Sequence, residues 1–114
     1  MNNQRPFEGL TALITGASSG IGAGTAVAMA RQGASVIVHY NAKHAEAAEV
    51  LERVRDEGAE GELVQADLST SKGTRELASF TEGRRIDILI NNAGSLLART
   101  RILDLERSDC VSLQ

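Results

Sequence analysis

The sequence predicts an α/β fold built on a parallel sheet, and three observations carry that expectation. Short apolar runs alternate along the chain with longer stretches of helical periodicity. The runs are continuous in Val, Ile, Leu and Ala instead of alternating with polar residues, which suits strands buried on both faces. A glycine-rich turn, Gly16 to Gly22, falls between the first apolar run and the first helical stretch.

Each element has its own signal. Thr11-Ala12-Leu13-Ile14-Thr15 is an apolar run with β-branched residues, expected as the first strand. A helix is expected from about Ile21 to Gln32, with Gly33 ending it. Ser35-Val36-Ile37-Val38 is the second strand. From Ala42 to Glu57 an apolar stripe at helical spacing (Ala45, Ala48, Leu51 and Val54, with Val50 alongside) marks the second helix, and Gly58 closes it. Glu62 to Gln65 is the third strand. Ser69 to Thr81 holds a third helix that Ser69, Thr70 or Ser71 can cap. Ile86-Asp87-Ile88-Leu89-Ile90 is the fourth strand, followed by Asn91-Asn92-Ala93-Gly94. Right-handed crossovers then give a Rossmann-type parallel sheet with flanking helices, truncated after about the fourth strand.

With 114 residues the chain has room for one small domain, residues 1–114, in which 106–114 reads as an atypical C-terminal tail without clear periodicity. Apolar residues make up 42% and aromatics only 3%, so the core must be built from Ala, Val, Ile and Leu. The formal net charge of -3 argues against a nucleic-acid partner. The one cysteine, Cys110, has no partner in the chain and no His or Lys close in sequence, and it reads as an inert thiol. No apolar stretch marks a signal peptide or a bilayer span of ~20 residues, so a soluble cytoplasmic protein with no membrane partner is expected.

The strongest chemical signal is Thr15-Gly16-Ala17-Ser18-Ser19-Gly20-Ile21-Gly22 between a strand and a helix. A helix N-terminus presents N–H groups and the positive end of the helix dipole, and so attracts phosphate. Glycines let the backbone approach a pyrophosphate without a Cβ in the way. The spacing is T-G-x-x-x-G-x-G, neither G-x-G-x-x-G nor a P-loop, since no Gly-Lys-Ser/Thr follows. Taken with Asn-Asn-Ala-Gly after the fourth strand, it resembles the short-chain dehydrogenase/reductase family, from about Gly9 to Leu105.

That resemblance implies an NAD(P)-dependent oxidoreductase, of which this chain would be the cofactor-binding part. Gly16, Ser18, Ser19, Gly20, Ile21 and Gly22 would line the adenosine and pyrophosphate side of the dinucleotide. Asp67 and Leu68 would lie near the adenine, although Asp67 also reads as a turn residue or helix cap. Asn92, Ala93 and Gly94 would sit beside the riboses, while Asn91 would hold the strand end; a plain turn is the alternative. The segment after strand two, with His39, Tyr40 and Asn41 as candidate contacts, carries no carboxylate to accept from a ribose 2′-OH. Lys43, His39 or His44 could supply positive charge to a 2′-phosphate, so NADP is expected over NAD; the alternatives are a solvated first helical turn for Lys43 and His44 and a plain strand-end residue for His39. No residue is assigned as a metal ligand.

No residue is assigned a catalytic role either. The family's Tyr-x-x-x-Lys pattern, in which a nearby lysine lowers the tyrosine's pKa, is absent. The only tyrosine is Tyr40, one residue too close to Lys43 and at the wrong end of the fold, and Ser95 is not a candidate for the catalytic serine. A small carbonyl or alcohol substrate is expected only if the missing part is supplied. The alternatives are a non-catalytic dinucleotide-binding module and an inactive fragment. If the sheet ended at strand four, Ile86 to Ile90 would be an exposed apolar edge prone to self-association.

Overall fold

The computed structural model describes residues 5–92 and the backbone of 111–113. Four strands and three helices alternate: β1 (Thr11–Ile14), α1 (Gly20–Arg31), β2 (Ser35–Tyr40), α2 (His44–Asp56), β3 (Gly61–Gln65), α3 (Ser71–Thr81) and β4 (Ile88–Ile90). A further short strand, β5, spans Val111–Leu113. All pairings are parallel and the order is β3-β2-β1-β4-β5, so the sheet is wound outward in both directions from β1.

β5 corrects the expectation of an exposed fourth strand. Ile88, Leu89 and Ile90 pair with Val111, Ser112 and Leu113, which makes β4 internal and moves the sheet edge to β5. Val111-Ser112-Leu113 is too short to show a period, so only a partner strand reveals it. The second strand also runs two residues beyond Val38. His39 and Tyr40 pair with Val64 and Gln65, because β3 extends far enough to continue the ladder.

The pleat of the strands divides the core into two layers. Ala12, Ile14, Val36, Val38, Tyr40 and Ile88 face α1 and α2, packing on Ala23, Ala26, Ala30, Ala47, Val50 and Val54. Leu13, Ile37 and Leu89 face the other way, onto Leu77 of α3 with Ala66 and Leu68. The small residues of α1 let that helix lie close against the sheet. α3 starts where the Thr70 side chain accepts a hydrogen bond from the Gly73 amide, the capping role expected of the Ser69–Ser71 stretch. Among the described residues no helix is long and apolar enough to cross a membrane.

At the N-terminal end of the sheet, Asp87 registers β1 against β4. Its Oδ2 accepts from the Thr11 amide at 2.9 Å, its own amide donates to the Thr11 carbonyl at 2.9 Å, and Arg85 Nε donates to Oδ1 at 2.8 Å. The Thr11 hydrogen bond, aided by Arg85, holds the carboxyl below its ordinary value. A folded-state value below the unfolded one means that this contribution is present above pH 3.8 and is lost as the pH falls through the lower folded value. Asp87→Ala is expected to cost about 1–2 kcal/mol at neutral pH, read as a lower urea midpoint. The gap between variant and wild type should shrink as the carboxyl protonates; a gap that is constant down to pH 2 would contradict this.

Candidate functional site

The C-terminal ends of β1, β2 and β3 open into one cleft of about 430 Å3, lined by Gly16, Ser18, Ser19, His39, Asn41, Ala42, Lys43, Asp67, Leu68 and Ser69. This is where parallel α/β sheets place ligands. Three separate stretches of sequence, the glycine turn and the segments after β2 and β3, thus contribute to a single concavity.

The turn is shaped by its glycines. Gly16 and Gly20 take positive φ of 61° and 60°, which side chains with a Cβ rarely adopt. Gly22 is required for a different reason. A Cβ there would overlap the Gly16 carbonyl oxygen and lie 2.7 Å from Asn92 Nδ2. The start of α1 therefore rests directly on the turn that precedes it. Ser19, the N-cap residue of α1, is extended and makes no side-chain cap, and the first helical turn has no acidic residue. Unlike α3, whose Thr70 fills that place, α1 has no N-cap side-chain hydrogen bond among the described residues.

Hydrogen bonds tie the turn to the neighbouring strand ends. The buried Thr15 donates through its amide to the Ile90 carbonyl at 3.0 Å and through Oγ1 to Asn91 Oδ1 at 3.2 Å. Its Oγ1 also accepts from the Asn92 amide at 2.8 Å. Asn92 Nδ2 donates to the Gly16 carbonyl at 3.2 Å. Asn91 thus holds the strand end, and Asn92 braces the turn. Ala93 and Gly94 lie outside the described residues.

On the other side, Gly16 donates its amide to His39 Nδ1 at 3.0 Å, and Ala17 donates to the His39 carbonyl at 2.9 Å. His39 Nε2–H donates to the Ala66 carbonyl at 2.8 Å. The residue is 3% exposed, and burial pushes the ring's pKa below the ordinary histidine value, against the opposing pull of the Ala66 hydrogen bond. His39 is therefore a neutral buried wall of the cleft and supplies no positive charge, a correction to the expected role.

Tyr40 is also corrected. The strand pleat turns it to the opposite face, where it is buried against α1 and α2, and its hydroxyl shares a 2.7 Å hydrogen bond with His44 Nδ1. Neither Tyr40 nor His44 lines the cleft. Of the three expected cations only Lys43 remains there, with Asn41 beside it. The Leu68 side chain belongs to the α3 layer of the core.

Asp67 makes a turn and also lines the cleft. Its Oδ1 accepts from the Ser69 hydroxyl at 2.6 Å and from the Ser69 amide at 3.0 Å, forming a turn that leads into α3 while still lining the cleft. Those bonds, the hydroxyl's first, hold the carboxyl below its usual value. Ile21 is 80% exposed and does not line the cleft. Two contributors escaped the sequence reading: Thr15 as the bolt to β4, and His39 as a structural acceptor. A buried histidine beside an invaginated turn has no sequence signature of its own.

Known proteins resemble this chain in sequence and in fold. A family model of short chain dehydrogenases matches residues 10–112. An uncharacterized oxidoreductase of Methylorubrum extorquens is 43% identical over 90 residues, covering 77% of this chain and 36% of its own. Versicolorin reductase 1 of Aspergillus parasiticus is 35% identical over 96 residues, covering 82% and 37%. The crystal structure of the angucycline C-6 ketoreductase LanV with bound NADP superposes with a TM-score of 0.70 at 37% identity, covering 78% of this chain and 38% of that one. The chain thus spans little more than a third of the length of the curated relatives it matches.

The close approach at Gly22 makes a sharp prediction. Gly22→Val should cost at least ~2 kcal/mol or prevent folding, because its Cβ has no space beside backbone atoms. Gly24→Ala, where nothing lies within 4 Å of a built Cβ, should be neutral or stabilising by about 0.5–1 kcal/mol. Urea denaturation of both variants checks this; equal destabilisation would contradict the packing described.

Proposed function

The chain belongs to the short-chain dehydrogenase family, and from that premise we propose that it is the dinucleotide-binding part of an NAD(P)-dependent oxidoreductase that reduces ketones or oxidises secondary alcohols. One observation carries the reading. The strand-end cleft opens beside a helix N-terminus that no side chain of its own caps.

The residues present fit such a cofactor. The turn from Gly16 to Gly22 would receive the pyrophosphate, with Ser18, Ser19, Gly20 and Ile21 bordering it, and no Cβ at 16, 20 or 22 stands in its path. Asp67 and Leu68 would flank the adenine, where the Asp67 carboxylate can accept from an amino group. Asn41 and Lys43 would meet the adenosine ribose. Asn92, Ala93 and Gly94 would lie toward the second ribose. When bound, the nicotinamide supplies or accepts the hydride.

NADP is favoured over NAD because Lys43 lines the cleft at the end of β2 and no carboxylate of the β2 end does. LanV, at 37% identity, was crystallised with NADP. A small carbonyl or alcohol substrate and the cytoplasm complete the reading. The residues that orient and protonate that substrate are not assigned in this chain. The second reading, a dinucleotide-binding module without catalysis of its own, is favoured by Tyr40. It is the only tyrosine, and it is buried in the core on the face away from the cleft.

Fluorescence titration tests the cofactor reading. NADPH should bind saturably and more tightly than NADH. Lys43→Ala should weaken NADPH by about tenfold, equivalent to ~1.4 kcal/mol, with little effect on NADH. Asn41→Asp should reverse the preference by placing a carboxylate at the strand end. Equal affinities for both cofactors in all three proteins would refute the assignment to NADP.

A further inference from the structure

We propose that His39 is the positioning residue of the phosphate-facing turn, and that its neutral, Nε2-protonated form is the state competent to bind a dinucleotide. The proposal rests on the dinucleotide reading of the cleft. It concerns the side chain that holds the turn in place, not a contact with the phosphates.

The hydrogen-bond partners fix the ring's state. A backbone amide can only donate, and a backbone carbonyl can only accept. The Gly16 N–H therefore requires a lone pair on Nδ1, and the Ala66 carbonyl requires a proton on Nε2. Only one form of the imidazole satisfies both. The His39 carbonyl meanwhile accepts from Ala17, so one residue holds two consecutive amides of the turn. The ring itself bridges from the end of β1 to the end of β3 across the floor of the cleft.

Protonation would put a hydrogen on Nδ1, facing the Gly16 N–H. Two donors would then oppose each other in a site with 3% exposure, and a buried donor without an acceptor is costly. The peptide unit that carries the Gly16 N–H, together with the Thr15 carbonyl, must turn to relieve this. It cannot turn alone, because the next unit is pinned: the Gly16 carbonyl accepts from Asn92 Nδ2 and abuts Gly22 at the start of α1, and the Ala17 amide donates to the His39 carbonyl. Loss of the His39 acceptor therefore displaces the cradle and the leading turn of α1 together.

Few other groups in the cleft carry charge. Asp67 faces it from the end of β3, with its carboxyl held low by Ser69, and Lys43 faces it from the start of α2. The end of β4 presents Asn91 and Asn92, the glycine turn presents Ser18 and Ser19, and the first turn of α1 has no acidic residue. Burial places the His39 transition below 6.5. Because the folded value is the lower one, the neutral state predominates above 6.5 and is lost as the pH falls through the folded value.

Two variants separate the ring's two contacts. Asn places its Oδ1 as many bonds from Cα as Nδ1 and can accept from Gly16, but it does not titrate. Gln places its amide at the position of Nε2 and can serve Ala66, but not Gly16. The full chain is titrated with NADPH from pH 8 down to the lowest pH at which circular dichroism still shows it folded. Wild type should bind at pH 8 and weaken by about tenfold per pH unit once below the folded His39 value. His39→Asn should bind within about threefold of wild type at pH 8 and lack that extra acid loss, which also controls for titration of the cofactor's own phosphates. His39→Gln should bind at least about tenfold more weakly at pH 8. Nitrogen NMR of the wild-type ring without cofactor should show an unprotonated Nδ1 at pH 8. If wild type and His39→Asn share one pH profile, if Asn and Gln bind alike, or if Nδ1 carries the proton, the positioning role is overturned while the cleft assignment stands. Absence of NADPH binding at pH 8 overturns both.

Discussion

The architecture depends on the contact between Gly22 and the backbone of Gly16. A helix that starts this close to its preceding strand fixes the direction in which the chain leaves β1, and with it the placement of α1 against β1 and β2. Dispersion and apolar burial then hold the layer together. The alanines of α1 are small enough for the helix to come near the sheet, and Val50 and Val54 of α2 complete the same layer. The absence of a side chain at 22 is thus a packing requirement as well as a feature of the cleft.

Around that contact the strand ends are joined by polar groups that all have partners. Thr15 fastens the turn to β4, His39 fastens it to β2 and β3, and Asn92 braces the Gly16 carbonyl. The start of α1 differs, with no side-chain cap from Ser19. A braced frame beside a helix N-terminus that its N-cap side chain does not cap suits an anion, and this local contrast supports the proposed dinucleotide reading more strongly than the glycine pattern alone.

Much of this was legible in the sequence. Continuous apolar runs such as Ala12-Leu13-Ile14 and Val36-Ile37-Val38 can only be buried on both faces, which leads to a parallel sheet and flanking helices. Gly16, Gly20 and Gly22 stand out because their spacing bridges a strand and a helix. The misread residues share a cause. His39 and Tyr40 are adjacent in a strand, so the pleat sends one into the cleft wall and the other into the core, and only the length of the β3 ladder shows that the strand continues through both. A histidine's charge depends on which groups it meets after folding, and the Gly16 amide is distant in sequence. Val111–Leu113 went unseen because three residues carry no period, and β4 supplies their register.

The central claim is that the ends of β1, β2 and β3 act as one dinucleotide cradle. The most direct measurement is backbone amide hydrogen exchange of the full chain, with and without saturating NADPH. The account predicts slowed exchange concentrated at residues 18–22, 41–43 and 67–69, with little change at the opposite end of the sheet, where Arg55, Arg84 and Arg85 line a separate cleft. Protection confined to that opposite cleft, or none at any of the three segments, would contradict it.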